Sequence, residues 1–206
     1  MFLDPRQPLT TCTAETCHDC PVHTNIHCHF RGKDLLHFLS ITIPVFLIGG
    51  AGIVQVNGWL LVPWLVICFG YFGFVEIRVM CSHCPHYAEA GGTLKCWANY
   101  GSPKVWKYRP GPMTNTENFV FFAGLAAVFG YPLIWLVAGQ SWFLSVLFVM
   151  TGYGFYLTMQ RGMCSRCMNF ACPLNRVNEE IRGSFFERNP DIAKAWGHGT
   201  KDQSGG

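Results

Sequence analysis

The chain has 206 residues, of which 50% are hydrophobic and only 13% charged, with a formal net charge of +3. A soluble domain carries about a quarter charged residues, and here the shortage is concentrated, since Leu35 to Val75 and Asn118 to Gln160 contain no Asp, Glu, Lys or Arg. That distribution excludes an ordinary soluble enzyme, and so small a net charge without a binding motif points to no nucleic acid partner.

In chain order, residues 1–34 read as a polar N-terminal segment rich in Cys and His. It holds Asp4, Arg6, Glu15, Asp19 and four cysteines, with no apolar core, so it does not resemble a signal peptide. Residues 35–79 then predict a first transmembrane hairpin. An uncharged run about twice the ~20 residues needed to cross a ~30 Å hydrocarbon core implies two spans, placed at about 37–56 and 59–79. They turn at Gln55-Val56-Asn57-Gly58, where Asn-Gly is a tight-turn signal. Residues 80–117 form a Cys-containing loop. A second hairpin occupies 118–160, with spans at about 118–138 and 141–160 joined by an uncharged turn, Ala138 to Ser141. The tail, 161–206, is helix-compatible, and Asn189-Pro190 marks the start of a short helix.

Four spans place both termini and the central loop on one side. That side carries Arg78, Lys95, Lys104, Lys107, Arg109, Arg161, Arg166 and Arg176, so the positive-inside rule makes it cytoplasmic in an inner membrane. The expected fold is an all-α integral membrane protein of four transmembrane helices in two tandem hairpins, immersed in membrane lipids. The chain also repeats. Arg78-Val-Met-Cys81-Ser-His-Cys84 is echoed by Arg161-Gly-Met-Cys164-Ser-Arg-Cys167, each at the end of the second helix of a pair. A pseudo-twofold axis along the membrane normal would bring the two Cys-x-x-Cys pairs together.

Ten of the eleven cysteines lie outside the spans; Cys68 sits within one as a small apolar residue. They form three groups: Cys12, Cys17, Cys20 and Cys28; Cys81, Cys84 and Cys96; Cys164, Cys167 and Cys172. Each group contains one Cys-x-x-Cys, which on a reducing face signals metal or iron–sulfur ligation more than disulfides. Cys20-Pro21, Cys84-Pro85 and Cys172-Pro173 favour iron–sulfur clusters. Zinc explains the same residues through a tetrathiolate of Cys81, Cys84, Cys164 and Cys167, with His83 or His86 nearby. His23, His27 and His29 read equally as ligands or as a solvated tail. Trp97, Tyr100, Trp106 and Tyr108, among Lys104, Lys107 and Arg109, read as an interfacial aromatic belt or as a docking surface for an acidic partner.

In organisation the chain resembles the four-span, ferredoxin-bearing membrane subunits that pass electrons between quinol and periplasmic reductases. The resemblance implies electron transfer; because no full ferredoxin run is present, it assigns no residue here. The leading expectation is a membrane subunit relaying electrons between a cytoplasmic redox partner and the quinone pool. Glu76, beside Arg78, either handles quinone protons or forms an interfacial ion pair. The alternatives are a zinc-stabilised scaffold or assembly factor without catalysis, and a membrane thiol–disulfide oxidoreductase.

Overall fold

The computed structural model describes residue 4, residues 6–18 and residues 20–198. Among them the fold is all-helical, with one isolated bridge between Thr93 and Pro103 and no strands. Four helices are long and apolar enough to cross a membrane: α1 (Gly32–Val56), α2 (Gly58–His83), α3 (Asn115–Ala138) and α4 (Trp142–Arg166). Two short helices come after them, α5 (Glu179–Arg188) and α6 (Pro190–Ala195).

The four long helices carry apolar side chains all round. Leu47, Val66, Phe69, Phe119, Ile134, Phe143 and Val146 are exposed on their outer surfaces, where water would penalise them and lipid would not. Between the helices, glycine sets the approach. A Cβ on Gly52 of α1 would collide with Leu136 of α3, and one on Gly124 of α3 would collide with the ring of Tyr71 of α2. A Cβ on Gly49 would lie 2.9 Å from Phe148 of α4. Polar side chains then tie α2 to α3. Trp64 Nε1 donates to the Val128 carbonyl at 2.9 Å, and the Tyr71 hydroxyl donates to the Phe121 carbonyl at 2.8 Å.

Two helix ends differ from the sequence expectation in a way that positions the cysteines. The second and fourth helices run past the expected 79 and 160, to His83 and Arg166. Each passes through one π-helical stretch, Tyr71–Val75 in α2 and Met159–Met163 in α4. Each ends in a tight 3₁₀ turn, Cys81–His83 and Cys164–Arg166, that carries the Cys-Ser-x-Cys motif. A single π turn inserts a residue and rotates the remainder of the helix, and such turns concentrate at functional sites. Helix α3 opens with a reciprocal cap, in which the Thr114 side chain accepts from the Glu117 N–H and the Glu117 carboxylate accepts from the Thr114 N–H. Proline begins α6 as expected, but Asn189 does not cap it through its side chain. Its amide donates to the Phe185 carbonyl at 2.8 Å and accepts from the Thr11 hydroxyl at 2.9 Å.

A candidate thiol-lined redox site

Six cysteines from beneath both helix pairs border one cavity. Cys81, Cys84, Cys96, Cys164, Cys167 and Cys172 all line a space of about 860 Å³ that descends between the long helices. Its deeper wall is apolar, with Phe46, Phe72, Phe129, Phe148 and Phe155 among the lining side chains. The first motif is tied to the segment just after the second, since the Asn169 amide donates across to the Met80 carbonyl at 3.2 Å.

Backbone amides are aimed at the sulfurs. The Cys84 sulfur accepts from the N–H of His86, and Cys167 accepts from Asn169. Cys96 accepts from Ala98 and from Asn99, the latter at 3.1 Å, and Cys172 accepts from Leu174 and Asn175. Such bonds favour thiolate over thiol and tune a metal held by it. In the bare protein burial outweighs them. It pushes Cys172 up to about 12 and Cys167 well above the ordinary thiol range, with the Cys84, Cys172 and Cys164 thiols adding to the rise at Cys167. Six thiols bordering one cavity offer sulfur donors of the kind that bind soft cations once deprotonated.

Asparagine was not singled out in the sequence, yet it organises the site. The Asn99 side chain donates to the Cys81 sulfur at 3.3 Å and is also bonded to Glu76. Asn175 donates to the Cys167 carbonyl at 2.7 Å and to the Asn169 carbonyl at 3.1 Å. The signal was present: Cys96-Trp-Ala-Asn99 and Cys172-Pro-Leu-Asn175 are a second echo, Cys-x-x-Asn.

The two candidate histidine ligands part company. His83 turns away from the thiols. Its Nδ1 lies 3.1 Å from the Gly111 carbonyl, and its Nε2 lies 3.1 Å from Arg109 and 3.5 Å from Glu117. It belongs instead to an ionic cluster in which Arg78 and Arg109 both reach Glu117, at 3.4 and 2.6 Å. Arg78 therefore pairs with Glu117, and the expected Glu76–Arg78 pair does not form; Glu76 lines the cavity. His86 does face the cavity. It is 3% exposed, and burial holds its imidazole down to about 4 even though it is bonded to the His27 backbone. Its Nδ1 has no partner within the chain. Trp97, expected at an interfacial belt, is buried and lines the cavity edge-on to Phe38, whereas Trp106 remains exposed beneath Arg78.

The N-terminal cysteines gather elsewhere. Cys12, Cys17, Cys20 and Cys28 surround a separate small cavity with His23 and His29. Burial pushes Cys28 up to about 12, and the Cys20, Cys17 and Cys12 thiols raise it further. Of the histidines left open in the sequence, His29 is buried, His27 is half-buried and 3.8 Å from Asp34, and His23 is exposed. All eleven cysteines are free. Among the described residues, no three His, Cys, Asp or Glu side chains stand close enough together to hold a metal ion as they are.

Against known proteins, the chain matches no family model, no curated sequence and no solved structure.

Proposed function

We propose that the protein is a membrane-embedded electron-transfer subunit, with its thiol end on the cytoplasmic face of an inner membrane. The six thiols bind iron–sulfur, and the apolar cavity beneath admits a quinone from the bilayer. Electrons pass between this centre and a cytoplasmic redox partner. One observation carries the reading: thiols separated by some eighty residues in sequence line the head of a cavity whose body is aromatic and lies between the long helices. Soft sulfur ligands at one end and an apolar channel at the other suit a cluster and an isoprenoid carrier.

The two helix pairs are read as a repeat about an axis along the membrane normal. The matched π stretches, Cys-Ser-x-Cys turns and Cys-x-x-Asn echoes support it. A zinc tetrathiolate of Cys81, Cys84, Cys164 and Cys167 is the weaker reading, because it leaves Cys96 and Cys172 among the same thiols without a role.

When bound, an iron–sulfur centre supplies one-electron chemistry. The chain's own groups orient and insulate it. Asn99 and the backbone N–H groups direct positive dipoles at the sulfurs, and the phenylalanines exclude water. Glu76, at the cavity wall beside Asn99, is the carboxylate placed to exchange a quinone's proton.

The test uses the whole protein, purified anaerobically and mixed with a short-chain quinol. Bleaching of a broad band near ~400 nm is the expected response. Gly152 lines the cavity, and a Cβ there meets nothing within 4 Å. Gly152→Leu should therefore fill the channel, slowing bleaching by about tenfold, equivalent to ~1.4 kcal/mol, with iron content unchanged. A colourless wild-type protein, or one indifferent to quinol, would refute the proposal.

A further inference from the structure

We propose that Cys12, Cys17, Cys20 and Cys28 form a self-contained site for a 2Fe–2S cluster, distinct from the six-thiol cavity. The four sulfurs border a cavity of about 30 Å³, closed by Leu9 and Val22. Cys12-x4-Cys17-x2-Cys20, followed by Cys28, is a C-x4-C-x2-C…C spacing, on which a two-iron rhomb is held.

Size separates the candidates. A cubane would have to displace Val22 and Phe185, each 2% exposed, from a space of about 30 Å³. A lone zinc needs ligands converging on one point, and among the described residues no three His, Cys, Asp or Glu side chains do so. A flat sulfide-bridged pair of irons spans thiols that ring a small void.

A buried polar side chain stands beside the four thiols. His29, 9% exposed, stands in the wall of this cavity. Its Nε2 donates to the Gln7 carbonyl at 2.9 Å, because a carbonyl can only accept. Its Nδ1 is buried with no hydrogen-bond partner among the described residues.

The site also has a neighbour. Cys12, Cys20 and Cys28 pack against the same apolar cluster that contains Cys84, and the His29 ring is within electrostatic reach of His86. Its use in electron transfer rests on the function proposed above; its existence does not.

The full-length protein, reconstituted with iron and sulfide and reduced with dithionite, should give a paramagnetic resonance signal that persists at liquid-nitrogen temperature. C17S/C20S should lose that signal and about two iron and two sulfide per chain, while iron on the other six thiols stays. C81S/C84S/C164S/C167S should keep the signal. Should C17S/C20S misfold, C28S serves instead, since serine can still ligate: its signal should survive with shifted g values. The inference is overturned by a reduced wild type without such a signal, by a signal retained in C17S/C20S or unshifted in C28S, or by zinc without sulfide on these thiols. A signal that behaves as expected in a protein inert to quinol refutes the quinone reading alone.

Discussion

The sulfur of Cys81 accepts from the side-chain amide of Asn99, and the sulfur of Cys96 accepts from that residue's backbone N–H. In the proposed iron–sulfur centre, one asparagine would therefore stabilise negative charge on two ligating sulfurs at once. A hydrogen bond to a charged acceptor contributes about 1.5–3 kcal/mol. An iron–sulfur centre gains negative charge on reduction, so part of that energy favours the reduced form. If about 1 kcal/mol differs between the two states, Asn99→Leu lowers the midpoint potential by on the order of 40 mV for one electron. A redox titration monitored in the visible checks this, and a midpoint that does not fall would show that Asn99 is not tuning the centre. At this scale the sequence was partly legible. Cysteine announces itself by spacing, and all ten extramembrane cysteines lie at the two thiol-lined cavities. Histidine does not. Nothing within the run Cys81-Ser-His-Cys84 shows that Arg109 and Glu117, distant in the chain, draw His83 out of the ligand set. Asn99 and Asn175 were legible only as a repeat of Cys-x-x-Asn, which becomes visible once the first echo has been aligned.

Among the helices, the same residue type does two jobs along α3. Gly124 lies where the ring of Tyr71 presses against the backbone, and Tyr71 is held there by its bond to the Phe121 carbonyl. Gly130, less than two turns on, faces the open cavity with nothing within 4 Å of a Cβ. Gly124→Ala should destabilise by about 1–3 kcal/mol through overpacking. Gly130→Ala should be neutral, or stabilising by up to about 1 kcal/mol from helix propensity. Thermal unfolding in detergent compares them, and equal losses at both positions would contradict the packing described. The four apolar helices were readable from uncharged runs because hydrocarbon tolerates so few charges. Two of their ends were readable as well, since the spans expected to close at 56 and 138 end at Val56 and Ala138. The second and fourth run past the expected 79 and 160 to His83 and Arg166, and side chains there such as Arg78 find ionic partners. No local residue choice announces a π stretch, so the rotation that delivers each Cys-x-x-Cys had no sequence signature.

In the whole molecule, the N-terminal segment acts as a strap. The described residues between 6 and 31 form turns and no helix or strand, so little regular structure holds them. Their anchors are long-range and spread across the chain. Thr10 donates to Glu89 of the central loop, through its backbone at 2.8 Å and its hydroxyl at 3.0 Å. His27 N–H donates to the Arg166 carbonyl at the second motif at 2.8 Å, and Thr13 N–H donates to the Arg188 carbonyl of the tail at 2.9 Å. Leu9, Val22 and Ile26 add apolar anchorage by burial in one cluster with Phe170 and Phe185, and metal coordination at the proposed cysteine site would supply further folding free energy to this segment. On the proposed metal-bound reading, a chelator under reducing conditions should release the strap while leaving α1 to α4 intact, because the long helices close on glycine contacts and on bonds such as Trp64 to Val128 that involve no cysteine. Hydrogen exchange should then rise by at least about tenfold for amides of 6–31, corresponding to a loss of ~1.4 kcal/mol of local protection, with no change in the helices. Uniform exchange with and without metal would mean that the thiols hold nothing the strap depends on. Helices that loosened together with the strap would instead make the bundle, and not the loops, the metal-dependent unit.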